Sequence, residues 1–181
     1  MGLMIKNIVI IICLSLLSVL SSCSNTEKLD LVNAEVTITN DESIVGSFTP
    51  KGKKQKVIPT DLYYKFTVKN NSNKDITQID EIKIEPNKKL MSVVKNTVGS
   101  NIYNMDENKF TWKRGFSEIP SKGKGTFTLN YTLGAEKGSN AYSPLPSKED
   151  LEKLKENALD GTLIMLENKK EIARFKLQPD E

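Results

Sequence analysis

The sequence has no histidine. That absence removes imidazole general bases, Ser-His-Asp and Cys-His nucleophilic sites, imidazole metal ligands and histidine-based pH sensing. Cysteine is almost missing too: only Cys13 and Cys23 occur, both near the amino terminus. The 10 Gly and 7 Pro are too few for collagen or a low-complexity polymer. Charge of one sign is lacking, because 26 Lys plus Arg against 23 Asp plus Glu leave a net charge of +3. A nucleic-acid binder needs a concentrated basic face, so nucleic acid is not an expected partner. A chain of 181 residues suits one ordinary domain.

Only one long apolar run exists. Ile8 to Leu20 is apolar except for Ser15 and Ser18, and Lys6 is the only charge before it. A short positive head and an apolar run of this length read as a secretory signal peptide; a membrane-spanning helix needs about 20 apolar residues. The run ends in Leu20-Ser21-Ser22-Cys23. This resembles the lipobox of bacterial lipoproteins: an aliphatic residue, two small residues, then cysteine. The resemblance implies a diacylglyceryl thioether on Cys23 and cleavage between Ser22 and Cys23. Two acyl chains hold a protein on a bilayer stably where one does not. The expected division is a signal peptide over 1–22, a flexible tether over 23–30 and a domain over 31–178. The mature chain would then hold no free thiol and no disulfide, so its core alone must stabilise it. The expected location is the extracytoplasmic face of the cell membrane.

The body alternates apolar and polar residues with period two, the strand signature. Val32, Ala34, Val36 and Ile38 share one face; so do Leu62, Tyr64, Phe66 and Val68; so do Phe127, Leu129, Tyr131 and Leu133. Shorter strands are expected at 44–49, at Ile82 and Ile84, over Leu90 to Val98, and at Phe110 and Trp112. Thr162 to Glu167 and Glu171 to Leu177 form a terminal hairpin around Asn168-Lys169. Asn70-Asn71-Ser72-Asn73-Lys74-Asp75 is a dense turn signal. The pattern changes once. Ser147-Lys148-Glu149-Asp150 has the form of a capping box, and Leu151, Leu154 and Ala158 follow at helical spacing. One helix near residues 148–159 is expected.

Short strands spaced by about ten residues point to a mainly β fold, a sandwich or barrel. The stretch from Tyr64 to Ile76 resembles the strand–turn–strand element of immunoglobulin-like domains in Gram-positive extracellular proteins, and Lys122 to Tyr131 resembles a later strand of such domains. The resemblance implies an immunoglobulin-like antiparallel β-sandwich, departing from antibody domains in having no cysteine pair.

Candidate chemistry is sparse. Ser92-Val93-Val94-Lys95 and Ser121-Lys122-Gly123-Lys124 match the serine–lysine motif of penicillin-binding enzymes, without its S-D-N and K-T-G companions. The carboxylate pairs Asp80-Glu81 and Asp106-Glu107 point to opposite faces if they lie on strands. Asn104 to Asn108 alternates oxygen ligands as a calcium loop does, but Lys109 and Gly115 replace the Gly and Glu that loop requires. No catalytic residue, metal ligand or cofactor is therefore assigned. The strongest contact signal is Lys51, Lys53, Lys54 and Lys56 on one loop, which suits an anionic surface: lipid headgroups or wall polymer. The expected function is a lipid-anchored, non-catalytic binding domain that engages a protein or cell-envelope component. The alternatives are a small envelope enzyme or enzyme inhibitor with a site assembled from distant residues, and a small-molecule carrier.

Overall fold

A computed structural model describes residues 28–52, 54–104, 118–136 and 142–178, with the backbone of 112–115. The fold is mainly β, in two antiparallel sheets. The strands are β1 (Leu29–Thr39), β2 (Thr60–Asn70), β3 (Ile79–Pro86), β4 (Trp112–Gly115), β5 (Lys124–Gly134), β6 (Gly161–Glu167) and β7 (Lys170–Lys176). The helices are α1 (Glu42–Val45), α2 (Lys88–Val98) and α3 (Lys148–Asn157). Strand order is β1-β2-β5-β4 in the first sheet and β3-β6-β7 in the second.

Period-two sequence becomes one-sided burial on β2 and β5. Leu62, Tyr64, Phe66 and Val68 face Phe127, Leu129, Tyr131 and Leu133 in the interior, where Ile82, Ile84, Leu163 and Met165 of the second sheet join the same core. Asn70 closes β2 and is itself buried with every side-chain group satisfied. Its amide donates to the Lys74 and Ile119 carbonyls at 2.8 and 3.2 Å, and its oxygen accepts from the Ser72 amide at 2.9 Å. The turn expected after Asn70 is thus tied down from inside. The terminal hairpin is also present. Glu167 pairs with Lys170, and Asn168 and Lys169 both adopt positive φ, at 50° and 63°. That is the two-residue turn whose twist matches paired strands.

Several expectations are corrected. β1 starts at Leu29, not after residue 30, because Leu29 is 3% exposed and packs in the core. Val32 does not share a face with Ala34: a bulge between Leu31 and Asn33 leaves it without a partner on β2, and it is 47% exposed. The extra residue shifts the alternation, so Leu29 and Leu31 precede the bulge on the inner face and Ala34, Val36 and Ile38 follow it. The strand expected at 44–49 is helix α1 followed by a single bridge, Phe48 to Val57. Phe110 lies outside the described residues.

The largest correction is α2, which stands where a strand over Leu90 to Val98 was expected. Val93, Val94, Thr97 and Val98 are β-branched and favour strands weakly. Tertiary burial and caps override that preference. The Asn87 side chain accepts from the Leu90 amide, and Gly99 ends the helix in the left-handed conformation at φ 80°. Leu90, Val93 and Val94 then form one buried stripe, and α2 packs on α3.

Helix α3 follows the capping box closely. Ser147 Oγ accepts from the Asp150 amide at 3.2 Å and donates to its carboxylate at 2.6 Å. Ser147→Ala is expected to lower stability by about 0.5–2 kcal/mol, read as a shift in the urea midpoint at unchanged slope.

Candidate functional site

Strand register defines two poles. At one pole Leu29 pairs with Asn70 and Lys69 with Lys124, so the chain enters the domain there. At the other, Thr39 pairs with Asp61 and Thr60 with Gly134. The eleven-residue strands span about 33 Å between them. The described residues of the following loops, 40–52 and 54–59 and then 135–136 and 142–146, lie at the second pole.

The lysine cluster sits in the first of those loops. Phe48 and Val57 exchange backbone hydrogen bonds of 3.0 and 2.8 Å, making a hairpin neck. Beyond it Lys51 and Lys54 are exposed. Lys56 forms an ion pair with Glu42, which depresses the Glu42 carboxyl. Lys53 lies outside the described residues. Among the described residues the cluster therefore keeps Lys51 and Lys54 exposed, with the Lys56 ammonium paired to Glu42.

Beside this loop lies a residue the sequence did not flag. Asp61 is 0% exposed, although it sits on the polar face of β2. A bulge between Thr60 and Asp61 distorts the pairing of β2 with β5. Gly134 there has φ 150°, and any Cβ would come within 2.8 Å of the Ser143 carbonyl. Only glycine lets the 143–145 segment close on β5, where Ala135 donates to Ser143 at 3.0 Å and Leu145 to Ala135 at 3.2 Å. Tyr142, on the same segment, sets its ring against Phe48, centroids 5.5 Å apart. One carboxylate oxygen accepts from Asn130 at 3.2 Å; the other has no hydrogen-bond partner. Burial raises the Asp61 pKa, and the Thr132 and Asn130 side chains offset that only in part. Burial also raises the Tyr142 pKa, with Asp61 adding to it.

A hydroxyl cluster fills the core between the sheets and helices. The Tyr64 hydroxyl donates to the Ala158 carbonyl at 2.9 Å, so the Tyr103 hydroxyl donates to Tyr64 at 2.7 Å. Tyr103 also meets the Tyr131 ring edge-on at 4.7 Å. Burial pushes all three phenols upward. They are structural acids, held neutral across the physiological range.

The remaining sequence candidates do not converge. Ser92 and Lys95 lie one helical turn apart on α2, not on a strand, and both are exposed. Ser121 donates its amide to Asp75 at 2.7 Å, and the Lys122 ammonium is spent on the Asn71 carbonyl at 2.6 Å. Asp80 accepts from the Lys169 amide at 3.1 Å, a turn contact. Asp106-Glu107, the 105–108 part of the calcium-like loop and the Trp112 side chain lie outside the described residues, as do Leu20-Ser21-Ser22-Cys23. Among the described residues no group of three acidic or thiol side chains could hold a metal, and no helix is long and apolar enough to cross a membrane.

Among the described residues, grooves open on the surface in two places that bear on function. One, of about 800 Å³, runs between Leu29–Ala34 of β1 and Arg174–Gln178 at the end of β7. The other, of about 340 Å³, lies over Ile164 and Leu166 beside Arg174, whose guanidinium is bound by Glu85 and Glu171. Neither is an enclosed apolar cavity of the kind a small-molecule carrier needs. Compared with known protein families, with curated proteins and with solved structures, the chain matches none.

Proposed function

We propose that the chain is a lipid-anchored, extracytoplasmic, non-catalytic binding module with an immunoglobulin-like sandwich fold. Support for the fold comes from strand order: β1-β2-β5-β4 beside β3-β6-β7 is the A-B-E-D and C-F-G order of constant-type immunoglobulin domains. The observation that carries the function is the separation of the poles. A lipid on Cys23 would lie six residues before Leu29, and the described loop residues after Thr39 and after Gly134 would stand about 33 Å from that end. Lysines at the far pole do not reach the membrane that holds the anchor. Their partner is then an anionic envelope polymer or an acidic protein surface. Each ammonium contributes up to about 1 kcal/mol near such a surface, and salt weakens it.

The test has two arms. The amino-terminal peptide of the mature protein should begin at Cys23 and carry the mass of a diacylglyceryl group, and Cys23→Ser should move the protein out of the membrane fraction. A terminus upstream of Cys23, or an unmodified sulfur, removes the anchor. Separately, Lys51→Glu, Lys53→Glu and Lys54→Glu together should reduce retention on an anionic glycopolymer matrix at least tenfold at low salt. Unchanged retention removes the lysine loop from the contact.

Asp61 favours a second reading, an envelope enzyme that uses this carboxyl as an acid or base, because perturbed buried carboxyls cluster at functional sites. That reading requires Asp61→Asn to abolish turnover while the fold persists.

A further inference from the structure

We propose that the pole where the chain enters the domain docks on anionic lipid headgroups, with Lys69 and Lys124 at the contact. The proposal deepens the binding-module reading and rests on its anchor, which puts a bilayer within reach of that pole. Three segments meet there. The Asn71 amide donates to the Lys28 carbonyl at 2.7 Å, the Asn70 amide to Gly123 at 2.9 Å and the Lys122 amide to Ser72 at 3.2 Å. Among the described residues they gather five lysines, Lys28, Lys69, Lys74, Lys122 and Lys124, against three acids, Asp30, Asp75 and Glu118. All of these lysines are exposed except Lys69, which is half-buried.

The independent sign is an unrelieved repulsion. Lys69 and Lys124 stand directly opposite each other in the register of β2 and β5, so they share a face of the sheet. Like charges set opposite across strands are destabilising. Among the described residues no ion pair reaches either of them. Asp30 lies opposite Lys69 on β1, yet its carboxylate accepts from the Asn71 side-chain amide at 2.5 Å. Asp75 accepts from the Ser121 amide at 2.7 Å. The Lys122 ammonium donates to the Asn71 carbonyl at 2.6 Å, a neutral acceptor that leaves its charge at the pole. Both turns are thus fixed from within while the ammonium charges stay. An anion seated over Lys69 and Lys124 relieves the repulsion that the fold alone leaves.

Reach selects lipid over a wall polymer. Five residues, Ser24 to Lys28, separate Cys23 from Leu29 and span at most about 17 Å. That tether lets the pole come down to within the Debye length of about 8 Å over which headgroup charge acts. The excess of lysine over acid is too small to hold a free protein firmly. Acyl chains supply the affinity, and the lysines supply the orientation. With this pole down, the described loop residues after Thr39 and after Gly134 face outward, about 33 Å away.

The test uses the mature chain with Cys23→Ser, so that no acyl group contributes. At low salt it should sediment with vesicles of phosphatidylglycerol at least tenfold more than with vesicles of phosphatidylcholine. Salt at about 1 M should remove the difference. Lys69→Gln and Lys124→Gln together should cut the phosphatidylglycerol binding at least tenfold. The same two changes relieve the repulsion, so the urea midpoint should hold or rise, which separates lost binding from lost fold. Lys51→Gln with Lys54→Gln, at the far pole, should leave the binding unchanged. Equal sedimentation with the two lipids, full binding by the Lys69 and Lys124 variant, a fall in its urea midpoint, or an equal loss from the far-pole variant overturns the proposal. Retention on an anionic glycopolymer that needs Lys69 and Lys124, with phosphatidylglycerol binding that does not, makes the partner a polymer and overturns the assignment to lipid. None of these results depends on whether Cys23 is acylated, which the terminal mass decides by itself.

Discussion

Tyr64→Ala should unfold most of the population at physiological temperature. Tyr64 is 0% exposed on the central pair of the four-stranded sheet. It stacks on Phe66 at 5.8 Å and meets Tyr131 edge-on at 5.9 Å. Removing a buried aromatic ring costs about 3–5 kcal/mol through lost transfer energy and the cavity left behind. The loss goes further here, because the hydroxyl links β2 to the carbonyl past α3 and to Tyr103. A domain has only about 5–15 kcal/mol in total. Tyr64→Phe isolates the polar part. It keeps the ring but leaves the Ala158 carbonyl and the Tyr103 hydroxyl without their partner, at about 1–3 kcal/mol. Tyr131→Phe is the control. Its buried hydroxyl makes no close hydrogen bond, with only the Ile84 backbone near enough to act on it by hydrogen bonding, so its removal should cost less than removal of the Tyr64 hydroxyl. Urea unfolding of the three variants should rank them in that order, and a Tyr131→Phe loss equal to that of Tyr64→Phe contradicts the network.

Asp61→Asn should stabilise the protein at neutral pH by about 1–2 kcal/mol, against the usual direction of a buried polar substitution. The native carboxylate is fully buried, and one of its oxygens has no partner. The neutral amide retains an oxygen for the Asn130 donor and removes the charge. The pH dependence gives the sign independently. Burial disfavours the anion and holds the folded pKa of Asp61 above the usual aspartate range. Its contribution to stability is therefore fully present below the unfolded pKa and is lost as pH rises through the folded pKa. Other carboxyls act oppositely: Asp41, hydrogen-bonded to Ser43, and Glu171, hydrogen-bonded to Arg174, are held low. Subtracting the Asp61→Asn profile from the native one isolates the Asp61 component. A difference that is flat from pH 4 upward, or an Asn variant that is less stable at pH 7, refutes this account.

Local pattern carried much of the fold. Alternation located the inner faces of β2 and β5, because a strand half-buried against a core shows its burial in its own residues. Asn168-Lys169 gave the last hairpin and Ser147 gave the start of α3, since each depends on contacts within a few residues. Leu90 to Val98 was also decipherable. Asn87, the 90–93–94–98 spacing and Gly99 together describe a capped helix, and weak β preference obscured them. The Val32 bulge left no such trace, because alternation continues on both sides of an inserted residue.

The amino-acid sequence by itself determined a mainly β body, one helix start and the turn positions, and it supplied the only grounds for an acylated Cys23. Tertiary structure alone decided that Asp61 is buried, that Val32 is exposed and that the lysine loop stands at the opposite pole from Leu29. The reason is range. Propensity, caps and periodicity act over a few residues, whereas the hydrogen bond to Asp61 arrives from Asn130, 69 residues along the chain, and the groove beside Val32 needs β1 and β7 to meet across most of the chain.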